Sequence, residues 1–372
     1  MIFSVRSKKL LAAGVSIIIL MLLILFPEYS SKGTATGLKY CSEIIIPSLF
    51  PFMVLSGFII RTGAGEIIGK LLSPLIKNLF FLPQCCAACI FLALTGGFPV
   101  GAKCTALLYR EGKINESEVQ RLMCFCVCGG PAFMITGIGA VMLGNITAGT
   151  VLYISQLISC LITGIACGIY SRKNKKTTDA KDNRISKNRV CNMGEAFILS
   201  VRDSAASVIS MSAMIAIFSM FMEIISFVGF YDIIENAFAA AGADTRYAGM
   251  ILPVLLEVTG GCKAVISSSL PLWCFSLCTG FGGMCIHLQI FEILGDIPLN
   301  KKKFIAFRFI NSFLSAAITY IICIIWNPSA DVFAAGGGCS GHFTSASYAG
   351  SGALVIMSVL FVLTMHRGRR IN

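Results

Sequence analysis

Two short stretches combine glycines, a threonine and a lysine in a way that could bind a small ligand. The first reads LTGGFPVGAK at residues 94–103, and the second reads EVTGGCK at residues 257–263. Glycines let a ligand approach the backbone closely, threonine hydroxyls donate hydrogen bonds, and a lysine ammonium balances a carboxylate. With a Gly-Gly-Pro triplet that lies between the two stretches, the candidate substrate-binding residues are Thr95, Gly96, Gly97, Pro99, Gly101, Lys103, Gly129, Gly130, Pro131, Thr259, Gly260, Gly261 and Lys263.

An acidic residue adjoins the second stretch, and several of these residues could instead have purely structural roles. Glu257 lies in an otherwise apolar run, which makes it the candidate for coupling to protons or sodium ions. The glycines could serve close helix packing. Lys103 could be an interfacial lysine whose charge reaches the membrane surface, and Lys263 could pair with Glu257. Glu223 and Glu292 are weaker candidates because both can lie at a membrane surface.

The composition is that of an integral membrane protein. Of 372 residues, 56% are hydrophobic and 13% are charged, and the mean hydropathy is +0.82. The net charge of +12 arises from basic residues in flanks and loops. This is the positive-inside pattern, and it calls for no nucleic-acid partner. Most of the 17 cysteines fall in apolar runs, so we interpret them as small apolar helix residues rather than as a disulfide or metal framework.

Apolar runs of membrane-spanning length predict an all-α polytopic membrane protein with about eight transmembrane helices plus two re-entrant segments. A glycine-rich turn at residues 144–149 divides the uncharged run 122–171 into two spans. The other predicted spans are residues 10–26, 44–60, 204–222, 280–294, 305–326 and 345–365.

Loop charge predicts the orientation of these spans. Basic residues cluster at 6–9, 61–77, 103–121, 172–189, 301–303 and 367–370, which places these segments and both termini in the cytoplasm. The glycine-broken segments 82–102 and 247–278 then enter the membrane from opposite sides, so the two halves form an inverted repeat. Paired breaks of this kind mark the binding site of a transporter. Residues 262–283 fit either a hairpin or a full crossing.

A family resemblance rests on three runs of the first half. The chain reads GGFPVGAK, then LYREGKINESEVQRLMCFC, then GGPAFMITGIGAVMLGN. These runs resemble the YlbJ-type sporulation integral membrane proteins, within the wider group that carries the nucleoside-recognition, or Gate, domain. The resemblance covers about residues 40–325. It implies a plan similar to that of concentrative nucleoside transporters, with paired re-entrant hairpins and broken helices around a central substrate.

On this plan the chain divides into five segments. They are an N-terminal transmembrane helix (1–30), a first Gate-like repeat (40–171), a basic cytoplasmic linker (172–200), a second, inverted Gate-like repeat (201–326), and an outside loop with a C-terminal transmembrane helix (327–372). The resemblance further implies a role in spore formation, in which dipicolinate leaves the mother cell across the outer forespore membrane.

The sequence therefore predicts a membrane transporter of a small anionic or aromatic solute. The alternative is a non-transporting membrane component of spore envelope or cortex assembly. We do not predict an enzyme, because the chain has no HExxH, no Gly-x-Ser-x-Gly and no paired His/Asp cluster. It has no Walker A motif either, so no ATP drive is visible within the chain. We expect no cofactor and no metal, and His287 is expected to pack within its helix. The expected partners are a small-molecule solute and the lipid bilayer, and homo-oligomerisation is left open.

Overall fold

The computed structural model describes residues 5–174 and 192–326, apart from residues 66, 68, 69, 71, 72 and 75, and these residues contain helices but no β-strand. The α-helices of the first half are α1 (Val5–Leu25), α2 (Pro27–Tyr40), α3 (Ile46–Arg61), α4 (Cys86–Gly96), α5 (Phe98–Arg110), α6 (Glu116–Phe125) and α7 (Ile146–Asn174). Those of the second half are α8 (Met193–Phe227), α9 (Phe230–Ala240), α10 (Ala248–Leu256), α11 (Val258–Ser267), α12 (Leu272–Phe281), α13 (Gly283–Leu294) and α14 (Lys301–Trp326). Three π-helical stretches, Cys41–Ile45, Ile76–Phe80 and Ala132–Met142, and a 3-10 turn at Thr245–Tyr247 lie between them.

The same order of elements occurs in both halves. A long helical run comes first, formed in the first half by α2, the Cys41–Ile45 stretch and α3, and in the second half by α8. A packed helix pair follows (α4 with α5, α10 with α11), then a broken helix (α6 with the Ala132–Met142 stretch, α12 with α13), then a closing helix (α7, α14). The fold thus consists of two halves with one plan.

The two long runs pack against each other in antiparallel fashion. A Cβ placed on Gly33 of α2 would lie 2.6 Å from the Met220 Cα, near the end of α8. A Cβ placed on Gly57 of α3 would instead lie 3.1 Å from the Ser200 Oγ, near the start of α8. Small residues allow such close approach of helices in membrane proteins. The antiparallel pairing is the arrangement that an inverted repeat requires.

Each packed helix pair is a helical hairpin. In the first, the Cys89 Sγ of α4 lies 3.5 Å from the Thr105 Oγ1 of α5, across a tip at Gly97. In the second, a Cβ on Gly261 of α11 would lie 3.0 Å from the Val254 Cα of α10, across a tip at Glu257. The tips are the non-helical backbone at Gly97 and Glu257.

The broken helices lose their regular hydrogen bonding at corresponding places. In the first half, residues 126–131 separate α6 from the Ala132–Met142 stretch. In the second half, Gly282 separates α12 from α13 with a left-handed φ of +84°, which glycine adopts without steric cost. We refer to residues 126–131 as the first break and to residues 282–283 as the second break.

Within the described residues, four helical segments are long and apolar enough to cross a membrane: residues 146–172, Met193–Phe227, residues 272–294 and Lys301–Trp326. A fifth is possible if α1 and α2, which meet at an angle of 100°, together form one span. The chain is therefore a multi-pass membrane protein, and the part that the structure describes is all-helical. About eight transmembrane helices and two re-entrant segments remain a prediction, and the predicted span 345–365 lies outside the described residues.

Several helices extend beyond their predicted bounds. The first long run begins at Pro27 instead of near residue 44, and α8 begins at Met193, inside the predicted linker 172–200, of which residues 175–191 lie outside the described part of the chain. Residues 262–283 make neither a separate hairpin nor a separate crossing. Residues 258–267 complete the second hairpin, and residues 272–294 form a broken helix of spanning length.

Candidate functional site

The tip of the first hairpin touches the first break. Gly97 has a left-handed φ of +92°, and a Cβ on it would lie 3.1 Å from the Gly130 backbone nitrogen. The reverse substitution is equally tight, because a Cβ on Gly130 would lie 2.9 Å from the Gly97 nitrogen. Two stretches of non-helical backbone thus meet inside the protein, with glycines at the contact.

The tip of the second hairpin touches the second break in the same manner. A Cβ on Gly283, whose φ is +74°, would lie 2.9 Å from the Glu257 backbone nitrogen. The two contacts also approach each other, since a Cβ on Gly282 would lie 3.6 Å from the ring of Phe98, beside the first tip. Both tips and both breaks therefore lie in one region, which we call the junction.

The two tips differ in charge. At the second tip, the buried Glu257 carboxylate accepts hydrogen bonds from the backbone N–H groups of Thr259 (2.9 Å) and Gly260 (2.6 Å) and from the Thr259 hydroxyl. It caps α11 and balances the positive end of that helix dipole. At the first tip, no side chain caps α5, whose N-terminal residue follows Gly97. The start of α5 is the more electropositive of the two helix ends.

A small cavity lies at the junction. Its volume is about 30 Å³, and its lining includes Phe98 and Pro99 from the first hairpin, Glu257 from the second, and Gln289 from α13. The π-helical stretches also contribute, through Ile45 and Phe133; such departures from α-helix recur at functional sites. The volume matches the share of about one water molecule in the liquid, so the tips close the junction in this conformation.

The hairpin tips set the correspondence between the two glycine-rich stretches. Because Gly97 and Glu257 are both tips, Gly101 corresponds to Gly261, and Lys103 to Lys263. The two Thr-Gly-Gly triplets do not correspond, since the first ends at its tip, Gly97, and the second begins two residues after its tip, Glu257. The resemblance between the triplets is therefore coincidental, whereas that between the glycine–lysine pairs reflects the repeated fold.

Several candidate glycines pack closely against neighbouring chain. A Cβ on Gly101 would overlap the Cys126 carbonyl oxygen at the first break, and one on Gly261 would press on Val254. Gly96 faces the side chain of Val100 within its own hairpin, and Gly260 faces the side chain of Met222. These glycines allow the hairpins to fit, as the packing alternative expected.

Neither candidate lysine lines the junction cavity. Lys103 is 8% exposed, and its Nζ donates to the Ser204 hydroxyl of α8 at 3.2 Å. It lies near the ion pair between Arg61 and Asp203. The ammonium of Lys263 lies 3.7 Å from the centroid of the Tyr40 ring, a cation–π contact, while the Glu257 oxygens accept from Thr259 and Gly260 instead.

Of the remaining candidate residues, Gly129 and Pro131 lie at the first break, and Thr95 forms a hydrogen bond within its own helix. Gly129 donates its backbone N–H to the Gln156 side chain at 3.4 Å, and Pro131, the last residue of the first break, immediately precedes the Ala132–Met142 stretch. The Thr95 hydroxyl donates to the Phe91 carbonyl within α4.

Three polar residues outside the glycine-rich stretches, Glu223, Glu292 and His287, have partners away from the junction cavity. Glu223 forms an ion pair with Lys32 of α2, and Glu292 accepts a hydrogen bond from Ser210 of α8. The His287 ring of α13 packs against Phe281 of α12 and Phe304 of α14, so its ring contacts are with neighbouring helices. Every described cysteine is a free thiol.

Three polar residues of the closing helices were missed by sequence reasoning. Gln156 of α7 donates to the Thr279 carbonyl beside the second break at 3.0 Å, and Asn311 of α14 donates to the Cys124 carbonyl beside the first break at 2.9 Å. Arg308 of α14 is fully buried and donates to the Val127 carbonyl inside the first break. The sequence alone could have indicated Arg308, because it is the one charged residue in the apolar run 304–326.

Comparison with known proteins gives one clear relative. The chain is 26% identical, over 347 residues, to the sporulation integral membrane protein YlbJ of Bacillus subtilis strain 168. The match covers 87% of this chain and 84% of that protein. This chain is similar to YlbJ. The similarity supports the YlbJ-type resemblance and extends over both halves of the fold. No family model matches the chain, and no solved structure matches it.

Proposed function

We propose that the protein is a transporter of a small anionic or aromatic solute, and that in sporulation its solute is dipicolinate, moved from the mother cell toward the forespore. The observation that carries this proposal is the junction, where the tips of two hairpins meet the breaks of two broken helices. In an integral membrane protein, non-helical backbone at depth is tolerated where protein buries it or where it lines a pathway. Paired breaks in two related halves are typical of secondary transporters.

The junction suits alternating access in its dimensions. A cavity of about 30 Å³ is far below the roughly 300 Å³ of a small-molecule pocket. A pyridine dicarboxylate therefore requires one hairpin tip to move away from its break. On this proposal the two hairpins are re-entrant, enter from opposite membrane faces and move in alternation, with both termini of the chain in the cytoplasm. The uncapped start of α5 supplies the more electropositive end for an anion.

Proteoliposomes that contain the purified full-length protein test the proposal. Uptake of labelled dipicolinate and of labelled nucleosides is measured with and without ion gradients. Gly97→Ala should abolish dipicolinate flux, because it combines an unfavourable φ with a contact to Gly130. Gly112→Ala is the matched control, since Gly112 also has a positive φ (+69°) but has nothing within 4 Å of its added Cβ.

A second candidate function is a non-transporting role in spore envelope or cortex assembly. The name of the relative describes a sporulation integral membrane protein and no transported solute, which is the observation in its favour. Folded wild-type protein that moves neither dipicolinate nor nucleosides under any gradient would favour this alternative. Nucleoside flux alone would retain a transporter and discard dipicolinate.

A further inference from the structure

Arg308 has an environment that its hydrogen bond to the first break does not explain. It is 0% exposed and lies in α14, one of the segments long enough to cross a membrane. Charged side chains at such depth are costly and mark the paths of ions and substrates. One guanidinium nitrogen, Nη1, donates to the Val127 carbonyl. A hydrogen bond to one carbonyl offsets only a small part of the free-energy cost of burying a full positive charge.

One complete edge of the Arg308 guanidinium has no hydrogen-bond partner among the described residues. Both Nε and Nη2 of Arg308 are buried and lack a hydrogen-bond partner among the described residues. In the planar guanidinium these two nitrogens present parallel N–H groups on the same side, a spacing that matches the two oxygens of a carboxylate. Within the described part of the chain, no aspartate or glutamate forms an ion pair with Arg308. The thiols of Cys160, Cys128, Cys124 and Cys126 lie in its neighbourhood.

A wide crevice reaches the neighbourhood of Arg308. It has a volume of about 1280 Å³ and is lined by residues of α6, α7 and α14, among them Cys124, Lys303 and Phe307. Phe307 immediately precedes Arg308, and the Cys124 carbonyl is bound by Asn311, less than one helical turn further along α14. The crevice therefore ends close to the layer of the protein that contains Arg308 and the first break.

We propose that the Nε–Nη2 edge of Arg308 binds a carboxylate of the transported solute, at a position between the crevice and the junction. This inference rests on the proposed transport function and names the side chain that recognises its substrate. If Arg308 served only to satisfy the Val127 carbonyl, a lysine could replace it, because one donor and one charge would suffice. A carboxylate held on two N–H groups requires the guanidinium itself.

Binding to purified full-length protein in detergent distinguishes these roles. The probes are dipicolinate, pyridine-2-carboxylate, the uncharged pyridine-2,6-dicarboxamide and inorganic phosphate, each titrated by calorimetry. Wild-type protein should bind both carboxylates and not the dicarboxamide. Arg308→Lys should weaken dipicolinate binding at least tenfold, and Arg308→Gln should abolish it. Arg110→Lys is the control, since Arg110 also donates to a backbone carbonyl of the other half, at Ile293, and the affinity of this variant should stay within twofold of wild type.

The outcomes separate this inference from the proposal on which it rests. If folded Arg308→Lys protein binds dipicolinate as tightly as wild type does, and the wild-type protein transports dipicolinate, the role of Arg308 is overturned. The proposed transport function is then retained. Phosphate binding that equals carboxylate binding and disappears in Arg308→Lys would show an unspecific anion site and overturn the carboxylate assignment. Folded wild-type protein that neither binds nor moves dipicolinate would remove the transport function, and this inference with it.

Discussion

Gln156 and Asn311 are the eleventh residues of α7 and α14, and each holds the broken helix of the other half. The Gln156 side chain donates to the Thr279 carbonyl near the end of α12, and the Asn311 side chain donates to the Cys124 carbonyl near the end of α6. The last four carbonyls of a helix have no partner within it, and at membrane depth water does not replace one. The closing helices therefore supply the missing donors, each across the boundary between the halves.

Removal of either amide should destabilise the protein and disturb the junction. Gln156→Leu leaves the Thr279 carbonyl and the Gly129 N–H without a partner, and Asn311→Leu does the same to the Cys124 carbonyl. Each substitution should lower the free energy of unfolding by about 1–3 kcal/mol, which thermal unfolding in detergent would measure. Thr150→Val is the control on α7, because its exposed hydroxyl bonds only to its own helix. A cost for Gln156→Leu no larger than that for Thr150→Val would contradict this bracing role.

Hydropathy predicts only some of the helices of the fold. The apolar runs of α7, α8 and α14 are long, so their existence could be predicted from the sequence. The segment Pro27–Tyr40 was not predicted because it is polar, with the sequence PEYSSKGTATGLKY. Its helical state depends on contacts of Gly33 and Gly37 with α8, about 180 residues away in the sequence, and such tertiary contacts leave no local periodic signal.

Gly37 allows a direct test of the antiparallel packing between the two long runs. A Cβ there would lie 2.8 Å from the Ala216 Cα of α8, and backbone at that distance cannot yield as a flexible side chain does. Gly37→Ala should force α2 and α8 apart and lower the unfolding temperature. Gly14→Ala, with nothing within 4 Å of its added Cβ, should leave it unchanged or slightly higher, since alanine favours helix by up to about 1 kcal/mol. Equal unfolding temperatures for both variants would contradict the close approach of α2 to α8.

Gly101 makes a similarly tight contact at the candidate site. Its added Cβ would overlap the Cys126 carbonyl oxygen, so Gly101→Ala should push the first hairpin away from the first break. We expect a destabilisation of about 1–3 kcal/mol from overpacking, together with loss of solute flux. Gly194→Ala, at an exposed glycine with nothing within 4 Å, serves as the control. Normal flux and stability in Gly101→Ala would show that the break can shift without consequence.

The candidate site shows the same limit of sequence reasoning as the fold. The glycines at Gly97 and Gly130 were predicted because Gly-Gly pairs inside apolar runs are conspicuous. The correspondence of Gly97 with Glu257 was not, since a glycine and a glutamate share no side-chain property. They share a position at a hairpin tip, where the backbone leaves the helix in both halves. Only the packing of the two hairpins reveals that equivalence.

Glu257 combines a capping role with a place beside the cavity, and the two can be separated. Its carboxylate caps α11 and lines the junction cavity, so Glu257→Ala should lose about 0.5–2 kcal/mol of stability. Glu257→Gln keeps one of the two acceptor oxygens, so it can accept from either the Thr259 or the Gly260 N–H group but not from both, and it should destabilise the protein less than Glu257→Ala. If the carboxylate carries the coupling ion, Glu257→Gln should also lose gradient-driven uptake in proteoliposomes while it retains exchange of solute at equal concentrations.

Asn115 provides the control for the capping role alone. It caps α6 through a hydrogen bond from the Glu118 N–H at 2.9 Å, and it does not line the junction cavity. Asn115→Ala should therefore lower stability about as much as Glu257→Ala and leave the response to an ion gradient intact. Gradient-driven uptake that survives in Glu257→Gln would restrict Glu257 to its structural role at the second tip, because the amide retains one of the two capping acceptors but cannot bind or release a proton.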